Sequence, residues 1–224
     1  MKRVISIVVA LLISASLQAQ EPLSHQKNLG SKTALLVFFD VSGLNNYNSN
    51  TALAKQNLAK YNQIVTKKNL QKARISSIAY YTFDEQIKPI GKIESTKAGR
   101  LYRESKKIMQ DVVLELKEDK SNKGKDVIST FYFINSVVQQ SYQNEDVTIL
   151  LFSNLRDSMS TKQQRQMMQP IVLDEHIHLD IYAASGLNAI DGVTTLQQMR
   201  AEASIVKFYN HLLSTSKVAI KTIY

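Results

Sequence analysis

Asp40 and Ser42 are the residues whose types and placing most readily admit chemistry. They close the segment Thr33–Leu44, TALLVFFDVSGL, an apolar run that rises to a carboxylate and breaks into Val41-Ser42-Gly43. Such a run reads as a buried parallel strand. Its carboxyl end, where the carboxylate and hydroxyl sit, is where open α/β sheets build their sites. The pair raises the question of whether the other pieces of an ion site are present. Ser42 makes a poor nucleophile: the elbow pattern is Gly-x-Ser-x-Gly, position 40 is Asp, and no placed general base is evident.

A second constellation lies in Asp174-Glu175-His176-Ile177-His178-Leu179-Asp180. On a strand, His176, His178 and Asp180 project to one side. Two imidazoles and a carboxylate suit Zn²⁺ or Fe²⁺, and this strand would then make the chain a metallo-enzyme. The plainer alternative is the start of a sheet strand with polar residues at its solvated mouth, at the opposite end of the sheet from Asp40.

The elements that must position these groups follow from periodicity. Thr33–Asp40 is the first strand. Ser42–Asn50, with four Asn, is a long loop. Thr51 caps a helix to about Thr66, with Ala54, Leu58, Tyr61 and Val65 inward. Ile75–Phe83 is a second strand. Gln86–Ile93 is its hairpin partner, and Pro89 makes that partner an edge strand. Thr96 starts the longest helix, to about Lys117, with a stripe from Ala98 through Leu101, Ile108 and Val112 to Leu116. Asp126 opens another, with Val127, Phe131, Ile134 and Val138 inward. Val147–Phe152 is a continuous apolar strand ending in Ser153-Asn154. Ser160 and Gln163 form a capping box for a short helix that Pro170 stops. Ile177–Ala184 is a strand, and Val193–Leu213 a helix with Leu196, Met199, Ala203, Val206, Tyr209 and Leu213 inward. Lys217–Ile223 is the last strand. Tyr80, Tyr81, Tyr102 and Tyr132 read as core or sheet-face residues. The alternation predicts a mostly parallel sheet with one antiparallel edge strand and helices on both faces.

Composition narrows the function classes. Lys2-Arg3, the apolar stretch Val4–Ala15 and a small residue near Ala19 have the layout of a signal peptide over residues 1–20, followed by a leader over 21–32. The apolar stretch is shorter than the roughly 20 residues a membrane span needs. The chain is therefore expected to be exported, periplasmic or secreted, with no span in the mature part. It has no cysteine, which excludes disulfides, thiolate metal sites and a Cys nucleophile. The formal charge of +9 favours an acidic partner, but the basic residues are spread along the sequence. No nucleic-acid module is visible, so nucleic acid is not expected as a partner.

The element order, with Asp-x-Ser after the first strand, resembles the von Willebrand factor A-like (integrin I-type) domain. Ile78–Ile93 resembles that family's edge pair, Gly124-Lys125-Asp126-Val127 its Gly-Thr-Asp-Ile segment, and Ser153–Ser158 (SNLRDS) its Ser-Asp turn. The resemblance implies a three-layer Rossmann-like domain over residues 33–224. It also implies a metal-ion-dependent adhesion site of oxygen ligands around Mg²⁺. Asp40 and Ser42 match that site. Leu44, Lys125 and Asn154 replace a Ser, a Thr and an Asp, so three of five positions depart.

A cation and an ammonium would repel there, and Lys125 can instead pair with Asp40 in a metal-free relic. The expectation is a non-enzymatic protein-interaction module without a cofactor, docking another envelope or extracellular protein. Its partner-binding rim comprises Asp40, Ser42, Asn45, Tyr47, Lys125, Asn154 and Asp157, with Tyr47 as the aromatic anchor. A Mg²⁺-dependent alternative would use Asp40, Ser42 and Asp157 or Asp126 as ligands. Nothing in the sequence sets the oligomeric state.

Overall fold

The computed structural model describes residues 32–42, 52–117, 126–143, 145–155, 169–184, 195–214 and 216–223. The strands are β1 (Thr33–Asp40), β2 (Ile75–Phe83), β3 (Ile87–Glu94), β4 (Asp146–Phe152), β5 (Ile177–Ala184) and β6 (Val218–Ile223). The helices are α1 (Ala52–Ile64), α2 (Lys67–Lys72), α3 (Ala98–Lys117), α4 (Val127–Ser141) and α5 (Thr195–Leu212). The six strands form one sheet in the order β3-β2-β1-β4-β5-β6. Every neighbouring pair is parallel except β2–β3. This is the expected mostly parallel α/β sheet with its antiparallel strand at an edge.

β1 is apolar from Ala34 to Phe39 because it is central and covered on both faces. Its alternate residues enter two cores. Leu35, Val37 and Phe39 pack with Tyr61 and Ile64 of α1, Leu70 of α2 and Leu101 and Val112 of α3. Ala34, Leu36 and Phe38 pack with Phe131 and Ile134 of α4 and Tyr209 and Leu212 of α5. The molecule is therefore three-layered, with helices on both faces.

Edge strand β3 is held off regular pairing where proline was expected to mark it. Tyr80 pairs with Gly91 and Tyr81 with Pro89, so Ile90 is the extra residue of a bulge. Gly91 lets α3 lie close: a Cβ there would be 2.9 Å from Ile108 Cδ1.

One helix is added and two expectations are corrected. Lys67–Lys72 is a helix, α2, too short and polar to show a period; Thr66 caps it by accepting from Asn69 N–H at 3.2 Å. Tyr132 is 57% exposed on the outer side of α4, because Val127, Phe131, Ile134 and Val138 already fill its inner side. On α5, Leu196 and Met199 are exposed, and so is Ala203. Its inward face is Ile205, Phe208, Tyr209 and Leu212, spaced i, i+3, i+4, i+7. The expected stripe keeps Tyr209 and Leu213, both buried, and the period alone does not choose between the two readings. The short helix expected after Ser160, the leader and the signal segment lie outside the described residues.

Candidate functional site

The chain passes from β1 to β2 on one side and later comes back to β4 on the other side of β1. The β1–β4 junction is thus the switch point where open α/β sheets leave a crevice beyond their strands' carboxyl ends. Asp40 ends β1 there. The register pairs Phe39 with Phe152, which brings Ser153 alongside Asp40.

Asp40 is fully buried. Its Oδ1 accepts from the Ser42 N–H at 3.0 Å, and its Oδ2 from Ser153 Oγ at 2.6 Å. Ser153 Oγ in turn accepts from the Leu155 N–H at 2.9 Å. One carboxylate therefore ties the segment after β1 to the segment after β4. Ser42 and Asn154 are buried beside it. Leu155 adopts φ 58°, a left-handed conformation costly for a leucine, and is held by its buried side chain and the bond to Ser153.

Two more acids stand at the same end of the sheet, each tied to its own backbone. Asp84 Oδ1 accepts from Gln86 N–H at 3.0 Å, and Asp84 C=O accepts from Asp126 N–H at 3.1 Å. Asp126 caps α4 by accepting from Ser129 N–H at 2.7 Å. Beneath the crown, Phe39, Phe152 and Tyr182 stack across three adjacent strands at centroid separations of 4.8 and 5.2 Å.

Of the rim residues named from the sequence, Asp40, Ser42 and Asn154 come to this crown. Asn45, Tyr47, Lys125 and Asp157 lie outside the described residues, and with them the Asp40–Lys125 pair. Sequence reasoning missed Ser153 as a site residue. The signal was present: two apolar runs that pair in parallel and end together must set Asp40 beside Ser153.

The histidine strand is arranged differently from its expectation. β5 begins at Ile177, so His176 sits in the preceding turn, half-exposed, its Nε2 4.0 Å from Glu175. His178 and Asp180 are buried, neither at a solvated mouth. Asp180 Oδ2 accepts from Lys221 Nζ at 3.2 Å, and that ammonium also lies 3.3 Å from the Tyr182 hydroxyl. Among the described residues no three His, Asp or Glu side chains stand close enough to share a metal ion.

The crown's described side chains offer one carboxylate, two hydroxyls and an amide, and both carboxylate oxygens accept hydrogen bonds, from the Ser42 N–H and from Ser153 Oγ. What the fold and this site define is a three-layer α/β protein with a hydrogen-bonded polar crown at its switch point. Among the described residues no helix is long and apolar enough to cross a membrane.

No family model and no curated protein matches the chain. Among solved structures, proximal thread matrix protein 1 from the mussel byssus is similar at TM-score 0.42 and 9% identity, over 85% of this chain and 44% of that one. The chain thus spans less than half of that protein's length, and a likeness this loose carries no argument about fold or function.

Proposed function

We propose that this chain is an exported, non-enzymatic protein-interaction module of the von Willebrand A type, with a crown that works without a metal ion. The observation that carries the reading is the Asp40 carboxylate at the switch point, bonded to Ser42 and Ser153. Those bonds hold two loop bases in fixed relation, and loops on a rigid scaffold commonly carry binding. The partner is another envelope or extracellular protein. It meets the rim of Asp40, Ser42, Asn45, Tyr47, Lys125, Asn154 and Asp157, where an acid of the partner can reach Lys125. The departures at Leu44, Lys125 and Asn154 support the metal-free form over the Mg²⁺-dependent one.

Capture from the native envelope with wild type, Lys125→Glu and Asn154→Arg tests this. A protein held by wild type and lost by both variants is the expected result. The same proteins held by all three forms would contradict the rim as the docking face.

A further inference from the structure

The basic residues that the sequence spreads along the chain are gathered by the fold. α2 and α3 pack against one another on the same face of the sheet. Lys67 of α2 reaches across the start of α3, its Cε 3.6 Å from where a Cβ on Gly99 would be. Lys67, Lys68 and Lys72 are exposed on α2. On α3, Leu101, Ser105, Met109 and Val112 point into the core. The opposite side of that helix carries Arg100, Arg103 and Lys107, with Lys106 flanking them over the Tyr102 ring, all four exposed.

Against these seven cations α2 carries no acid, and the outer side of α3 carries Glu104 among them and the exposed Asp111 one turn beyond Lys107. Glu104 is shared by Lys107 at 3.0 Å and Arg103 at 3.5 Å. Seven positive against two negative charges leave a local excess of +5, more than half of the formal charge of the whole chain, +9. It lies over a helix-covered face of the sheet and does not depend on how the crown is read.

We infer that the α2–α3 face docks on an anionic lipid surface. Three features favour a leaflet over an acidic protein. The cations stand exposed on the outer sides of two adjacent helices, where a plane of mobile charges can meet several at once. Their long stems let the charged heads reach a headgroup layer. Leu114, 62% exposed, continues the Arg100–Lys107 line of α3 and adds an apolar side chain that such a layer accepts.

Sedimentation of the full chain with vesicles tests the inference. One set is phosphatidylcholine alone; the other also contains phosphatidylglycerol. Residues 1–20, with Lys2 and Arg3, are present in every form, so the comparison between variants on the two vesicle types isolates the α2–α3 face. Wild type should prefer the anionic vesicles by roughly tenfold or more at low salt, and lose that preference as salt shortens the Debye length.

Lys68→Glu/Arg100→Glu should abolish the preference. Arg200→Glu/Lys207→Glu, on exposed positions of α5 across the sheet and with the same net charge, should keep it. Three results would overturn the inference. The first is equal binding to both vesicle types. The second is equal loss in both double variants, which would assign the effect to net charge. The third is binding to polyglutamate with none to anionic vesicles, which would point to an acidic protein. Milder Lys68→Gln/Arg100→Gln changes repeat the comparison if the reversals disturb folding.

Discussion

Ser153 performs two tasks with one oxygen, donating to Asp40 and accepting from Leu155. Ser153→Ala removes both bonds in a buried setting, one of them to a charged group. It should lower stability by about 2 kcal/mol. For a domain of this size that is a fall in Tm of roughly 4–8 °C. A change under about 1 °C by calorimetry would show that the crown is held by other groups.

A second buried pair makes a pH prediction. The hydroxyls of Tyr61 and Tyr80 are 2.8 Å apart between α1 and the sheet. Burial raises both phenols, and Tyr80 is pushed up to about 12 from its ordinary 10.0. The folded state thus favours the neutral hydroxyls. Their contribution is complete below pH 10 and is lost as pH climbs toward 12. Phenolate absorbance for these two should rise only together with loss of ellipticity. If they ionised while the fold persisted, or if Tyr61→Phe/Tyr80→Phe left the alkaline limb unmoved, their burial would be refuted. Tyr61 was legible as inward from its helical spacing, and Tyr80 as a core or sheet-face residue of its strand. That their hydroxyls meet was not, because the contact joins a helix to a strand whose relative position no local pattern encodes.

Elements with a strong local signature were legible nearly to the residue. β1 and β4 declare themselves by unbroken apolar runs, and α4 by Asp126 followed by four inward residues at helical spacing. Asp126 also shows how a chemically suggestive acid can have a local task. Read from the sequence as an alternative metal ligand, it is turned onto Ser129 at the start of α4. Asp126→Ala should therefore cost about 1 kcal/mol, with Asp126→Ser recovering most of it. Equal stability of wild type and Asp126→Ala in urea melts would remove the cap from this account. α2 and the phase of α5 were not legible for opposite reasons. α2 has too few apolar residues to show a period. α5 has too many, and the sheet beneath it decides which of two stripes is buried.

At the scale of the molecule, the order of elements along the chain was legible and their order across the sheet was only implied. A parallel sheet pairs strands far apart in sequence, so β1 finds both β2 and β4 through packing alone. That placement makes β1–β4 a switch point, and it converts Asp40 and Ser153 from the ends of two apolar runs into one bonded unit. The same tertiary gathering makes the α2–α3 face basic, though its lysines and arginines look diffuse in the sequence. Of the seven candidate rim residues the three that are described, Asp40, Ser42 and Asn154, do share the crown. At the histidine strand, alternation predicts which side a residue takes and says nothing of its partner. Lys221 comes from the neighbouring strand and takes Asp180.

The central claim is that Asp40 is satisfied by the protein's own donors and needs no dication. Titration calorimetry of the full chain with Mg²⁺ and Mn²⁺, beside Asp40→Asn, tests it most directly. The account predicts no saturable binding tighter than about 100 μM, equivalent to roughly 5 kcal/mol, in either form. Tighter binding by wild type that disappears in Asp40→Asn would contradict it.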